Sequence, residues 1–146
     1  TVPYEVIDEA LKRAAQARSH SYSPYSHYPV GAAIKTRSGH TVYAGCNVEN
    51  SSYGASICAE RSAIVQMIAS EGRQELDFVL VLTSAGQDAV PCAQCLQVMA
   101  EFSSPDMLVY IANEEGVDRI YRFAELLPYP FVFSDSDTSR NPGAAL

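Results

Sequence analysis

The sequence predicts an α/β domain on a mixed sheet, from three observations. Helical apolar spacing and strand-like apolar runs alternate along the chain. The first two strand-like runs, "VGAAIKT" and "HTVYAGCNV", flank a short "RSG" turn signal, which makes them a hairpin. The later strand-like runs are separated by helical segments, which makes crossovers. At 146 residues, the length suits one domain.

Residues 3–19 read as a helix. Val6, Ala10, Ala14 and Ala17 recur at steps of three and four, Ile7 and Leu11 widen the stripe, and Pro3 suits a first turn. "SHSYSPYSHYPVG" is a loop of serines, prolines and tyrosines, and the hairpin follows it. "ENSSYGAS" is polar and reads as another loop. "CAERSAIVQMIASEG" is a helix with apolar faces from Ala63, Val65, Met67 and Ile68, stopped at Gly72. "LDFVLVLTS" is a buried strand, and "PCAQCLQVMAEF" begins a further helix. "MLVYIA" is a strand, "NEEG" a turn, "VDRIYRF" a strand and "FAELLP" a short helical end. The expected domain covers residues 1–133. Residues 134–146 are polar and contain Pro and Gly, so a poorly ordered tail is expected there.

Composition narrows the function. Apolar residues make up 47% of the chain, enough for one core. The formal net charge is −7, and the ten Lys and Arg are scattered rather than gathered in a basic stripe. A long nucleic acid is therefore a poor partner, and a small uncharged substrate suits the surface better. No apolar run approaches the roughly 18 to 20 residues that span a bilayer. The N-terminal residues lack the apolar centre of a signal peptide, so no membrane partner and a cytoplasmic location are expected.

The four cysteines stand at 46, 58, 92 and 95. Cys46, in a strand without a close cysteine neighbour, reads as a small buried apolar residue. Cys92 and Cys95 form a C-x-x-C at a helix start, a pattern used for thiol–disulfide exchange or for zinc. The redox use wants no third ligand and an early position in a βαβ unit. Here the pair comes late, and Cys58 opens a helix of its own, so zinc is the better reading. Helix starts also favour thiolates through their unsatisfied N–H groups. Three thiolates leave a coordination position open, which marks a catalytic zinc. Cys46, His20, His27 or His40 could close the site in principle, but none has a ligand spacing to the others. Glu60, two residues after Cys58, can face the metal without binding it, and a carboxylate placed so can carry protons for an activated water. Dipole complementation would explain an isolated helix-start glutamate, but not this one beside three candidate ligands.

"CAE" followed by "PCAQC" resembles the zinc-dependent cytidine deaminase family. "YSPYSHYPVGAAI", "GCNVENSSYGASICAER", "PCAQCLQVMAEF" and "ELLPYPF" extend the likeness from about residue 5 to about residue 131. It is closest to the small type with three cysteine ligands, which forms homotetramers. The resemblance implies a three-layer α-β-α fold with about five strands. It implies one zinc ion per chain on Cys58, Cys92 and Cys95, with Glu60 moving protons from water to the ring N3 and the leaving amine. Ala59 would position the base through its backbone N–H, Asn47 and Glu49 would hold the ribose, and Tyr28 would pack on the base. Phe131 would reach the active site of a neighbouring subunit. Arg61 would draw charge from the sulfurs. The implied reaction is hydrolytic deamination of cytidine and deoxycytidine. A deaminase of modified cytidines (N4- or C5-substituted) or of another aminated nucleoside is the alternative, and an inactive zinc-stabilised homologue is a further one.

Three positions depart from the family pattern. Leu96 stands where arginine is usual, Ala93 where glycine is usual, and Tyr28 where phenylalanine is usual. Leu96 matters most. Three thiolates over-neutralise a divalent zinc, and the metal is a poor Lewis acid unless cations and N–H dipoles drain the sulfurs. Arg61 remains for this, and Gln94 is a possible helper.

Overall fold

The computed structural model describes residues 2–86 and 89–133. The tail expected at 134–146 lies outside the described residues. The order is α1 (Tyr4–Arg18), β1 (Gly31–Thr36), β2 (Val42–Cys46), α2 (Ala59–Glu71), β3 (Leu76–Leu82), α3 (Ala93–Ala100), β4 (Leu108–Asn113), β5 (Gly116–Arg122) and α4 (Phe123–Leu126). A 3-10 turn at Tyr53–Ala55 sits inside the expected polar loop.

The sheet order is β2-β1-β3-β4-β5. Only β3 and β4 are parallel, joined through α3; the other neighbouring pairs are antiparallel. The predicted hairpin is β1–β2, with Ala33 opposite Ala44. Central strand β3 is apolar on both faces because both are covered, as expected between two helical layers.

On one face, Ile7, Ala10 and Ala14 of α1 pack with Ala33, Phe78, Leu80 and Tyr110. On the other, Ala63, Ile64 and Met67 of α2 and Leu96 and Met99 of α3 pack with Ile34, Val79, Val81 and Val109. This is the three-layer arrangement. Burying each large aliphatic or aromatic side chain contributes about 1.5–3 kcal/mol. The α2 face is only partly as read: Ala63 and Met67 are buried, whereas Val65 and Ile68 are exposed and Ile64 takes their place inside.

Two glycines set how closely the helices approach. A Cβ at Gly31 would lie 2.1 Å from the Ala14 carbonyl oxygen, so α1 can rest directly on β1. A Cβ at Gly45 would lie 2.6 Å from Ala63 N and 2.8 Å from Ala59 O. The first turns of α2 therefore sit against bare β2 backbone, which fixes where Cys58 and Glu60 stand. Gly72 stops α2 at φ 74°, in the region that favours glycine. Among the described residues no helix is long and apolar enough to cross a membrane.

Candidate metal centre

Cys58 and Cys92 are the N-cap residues of α2 and α3. Cys95 lies in the first turn of α3 and is fully buried. The crossover topology brings the two helix starts together near the C-terminal end of β3. Their sulfurs, with that of Cys95, lie within 4.8 Å of one another, and Cys58 Sγ is 4.0 Å from Cys92 Sγ. Tetrahedral zinc with bonds of about 2.3 Å holds its ligand sulfurs about 3.8 Å apart. The thiols are therefore placed to close on a zinc ion with a shift of about an ångström at most.

Their protons tell the same story. The Cys95 thiol donates to Cys58, and with Arg61 beside it this holds the Cys58 thiol well below its ordinary range, at about 5, against the opposing effect of burial. Cys95 is pushed up, first by that donated bond and then by burial and the Glu60 charge. A cluster of thiols in which one is held towards its thiolate is a natural cation site. Arg61 Nη2 lies 3.5 Å from Cys58 Sγ. Arg61 Nε is buried without a partner, a donor that added anionic charge at the cluster would suit.

Glu60 is 4% exposed on the same helix turn. Burial pushes its carboxyl up to about 7, opposed by its own backbone N–H, with the neighbouring Cys58 charge adding to the rise. It lines a cavity of about 460 Å³ with Cys58, Cys92, Ala59, Arg61 and Gln94. Tyr28, Asn47 and Glu49 line the same cavity. A larger cleft, about 760 Å³, opens beside Leu11, Arg18 and Glu114. It holds no thiol, and its Arg18 is already engaged with Pro29 O, Ser84 Oγ and Glu114. Chemistry, not volume, distinguishes the smaller cavity.

Asn47 and Glu49 are tied to the 21–30 loop, which the sequence did not suggest. Asn47 Oδ1 accepts from Val30 N and Ser21 Oγ, and its Nδ2 donates to Tyr28 O. Glu49 accepts from Tyr25 N, Ser26 N and Ser26 Oγ. Counting sites, Asn47 keeps one N–H and Glu49 one lone pair, the complement of a single hydroxyl.

Nine of the ten expected site residues are thus gathered: eight line the cavity, and Cys95 sits beneath it. Phe131 is not among them. It is 71% exposed, and its backbone N–H and carbonyl are clasped by the Gln97 side-chain amide of α3. Cys46 stands outside the sulfur cluster, as do His20, His27 and His40, all three of them exposed.

Comparison with known proteins agrees with this geometry. The family model for the cytidine and deoxycytidylate deaminase zinc-binding region matches residues 5–111. A cytidine deaminase of Halalkalibacterium halodurans is 41% identical over 125 residues, covering 86% of this chain and 93% of that protein. One from Mycobacterium tuberculosis is 36% identical over 127 residues, covering 87% and 90%. Among solved structures, cytidine deaminase from Burkholderia pseudomallei superposes with a TM-score of 0.77 at 37% identity, covering 89% of this chain and all of that one. The enzyme from Mycobacterium leprae gives 0.70 at 36%, covering 84% and 97%. On these matches the chain belongs to the cytidine and deoxycytidylate deaminase family, whose zinc-binding region it carries.

Proposed function

We propose that this protein deaminates cytidine and deoxycytidine hydrolytically, giving the uridines and ammonia, with residues 1–133 as the catalytic domain. The observation that carries the reading is one cavity shared by the thiol cluster and the buried Glu60. Relatives named cytidine deaminase along most of the chain support it.

Cys58, Cys92 and Cys95 would hold one zinc ion, which would supply Lewis-acid activation of water near neutral pH. Glu60 is placed to carry a proton from the attacking water to the ring N3 and one to the departing amine. Its burial keeps bulk water from competing for those protons. The Ala59 N–H, at the open end of α2, orients the base. Arg61 draws charge from the Cys58 sulfur. Tyr28 packs on the base, while the N–H left on Asn47 and the lone pair left on Glu49 hold a sugar hydroxyl.

Phe131 acts in trans, capping the site of a neighbouring copy in a homotetramer with shared active sites. Its exposure beyond its own cavity supports this, and so does a set of exposed apolar residues that includes Val65, Ile68 and Phe133. The four cysteines are free thiols, which suits the cytoplasm. The substrate is a small nucleoside, with neither membrane nor nucleic acid as a partner.

The test is ultraviolet-monitored conversion of cytidine by zinc-loaded protein, with Glu60→Ala as control. Turnover abolished in the control at unchanged zinc content is the expected result. No turnover by wild-type protein holding about one zinc per chain would overturn the reading.

A further inference from the structure

One wall of the substrate cavity is neither helix nor strand. Ser26, Tyr28 and Val30 of the 22–30 loop line it beside Asn47 and Glu49, and the loop is exposed over much of its length. Within it His27 adopts φ 55°, alone among the described non-glycine residues in having a positive φ. A residue with a Cβ resists that conformation, so neighbouring bonds must hold it.

The His27 N–H donates to Ser23 O at 2.9 Å, and the side-chain bonds around it converge on Ser26. Its Oγ accepts from Tyr28 N at 3.1 Å, spanning His27, and donates to Glu49 Oε2. Its backbone N–H and that of Tyr25 both donate to Glu49 Oε1 at 3.0 Å. Tyr28 is held from the other side, its carbonyl accepting from Asn47 Nδ2 at 2.8 Å. Tyr25 in turn packs edge-on against Tyr53, with ring centroids 5.7 Å apart.

We propose that Ser26 is a positioning residue that sets sugar recognition: its hydroxyl locks the Glu49 carboxylate and the Tyr28 backbone into one register. The inference rests on the cytidine reading above and deepens it.

The argument is one of counting. Glu49 Oε1 is filled by two backbone donors, and Oε2 is held by Ser26 Oγ. One lone pair of Oε2 remains, and its direction is set by the bond Ser26 already makes. Ser26→Ala frees Oε2 to turn and removes the acceptor of Tyr28 N. The carboxylate that reads the sugar then loses its anchor, whereas Tyr28, which covers the base, stays held through its carbonyl by Asn47 Nδ2. Ser26 is also the leading cause that keeps Glu49 below the ordinary carboxylate range, so Glu49 faces the cavity as an acceptor. The metal ligands and Glu60 lie on other elements and make none of these bonds, so the chemical step is spared.

The test compares wild type, Ser26→Ala, Ser26→Thr and Glu49→Gln, each zinc-loaded, on cytidine and on 2′,3′-dideoxycytidine. Wild type and Ser26→Thr should prefer cytidine. In Ser26→Ala, KM for cytidine should rise about tenfold, the loss of one bond to a charged group, with kcat within about threefold. Its kcat/KM for the dideoxy substrate should change by less than about threefold, so the preference collapses. A purely structural role would lower both substrates together. An Ser26→Ala enzyme that keeps the wild-type preference overturns the proposal. A wild type inert on cytidine overturns the function itself and this inference with it. A Glu49→Gln enzyme that keeps the preference removes Glu49 from sugar recognition, and Ser26 with it.

Discussion

The two helix starts of the metal centre share one backbone design and divide the chemistry between them. Cys58 before α2 has φ −74° and ψ 158°; Cys92 before α3 has φ −66° and ψ 162°. Each is an extended N-cap whose sulfur stands where unsatisfied N–H groups and the helix dipole favour a thiolate. The side chains that follow differ. After Cys58 come a buried acid, Glu60, and a cation, Arg61. After Cys92 come the exposed Gln94, the second thiol and the buried, apolar Leu96. On the proposed reading, α2 would supply one ligand, the proton carrier and the countercharge, whereas α3 would supply two ligands and core packing. The electrostatic support of the sulfurs is therefore one-sided.

The largest effect should come from breaking what the two starts share. Cys95→Ser removes a ligand from a fully buried position. Zinc content should fall to background, turnover should vanish and the thermal midpoint should drop. Chelation of the wild-type protein should reproduce the loss, and added zinc should reverse it.

Next is Glu60, the proposed proton carrier, which stands on α2. Glu60→Gln keeps the shape of the site, so zinc content should stay at the wild-type level. The lost proton transfer should lower kcat about 10²- to 10⁴-fold. Zinc loss in this variant would mean that Glu60 supports the metal rather than the proton.

Third is the countercharge. Arg61→Gln should weaken zinc retention about tenfold to a hundredfold, read by competition with a chromogenic chelator. An unchanged affinity would show that helix-start N–H groups alone stabilise the thiolates.

The same contrast shows what could be read from the sequence. "CAE" and "PCAQC" were legible because Cys and Glu at helix starts are few in this chain and their chemistry is restrictive. The sheet and its crossovers were legible because β3 and β4 are short apolar runs bounded by turns. The inner face of α2 was harder to phase, since apolar residues occur at 63, 64, 65, 67 and 68, nearly all the way round. Only packing on Gly45 and β2 selects Ala63, Ile64 and Met67. The clasp of Ser26 on Glu49, and that of Gln97 on the Phe131 backbone, had no sequence signal beyond a serine-rich loop and a polar helix residue. Both join segments distant in the chain through single polar groups, which neither periodicity nor composition encodes.

The smallest and most discriminating effect concerns Leu96, where the family pattern carries arginine. Leu96 is 6% exposed and belongs to the core cluster that includes Ala63, Met67 and Met99. Its N–H bonds the Cys92 carbonyl at 2.9 Å, which places it one helical turn beyond that ligand. A guanidinium brought there leaves water for apolar surroundings, a cost offset only by a close anion. With zinc bound, the thiolates supply that anion. With the sulfurs protonated, they do not. Leu96→Arg should therefore lower the stability of chelator-stripped protein by about 3 kcal/mol. In the loaded protein the loss should be smaller, and zinc should resist the chelator a few-fold better. The gap between loaded and stripped thermal midpoints then widens relative to wild type. An unchanged gap would mean that the sulfurs on α3 have no use for a second cation, and that Arg61 on α2 is sufficient for all three.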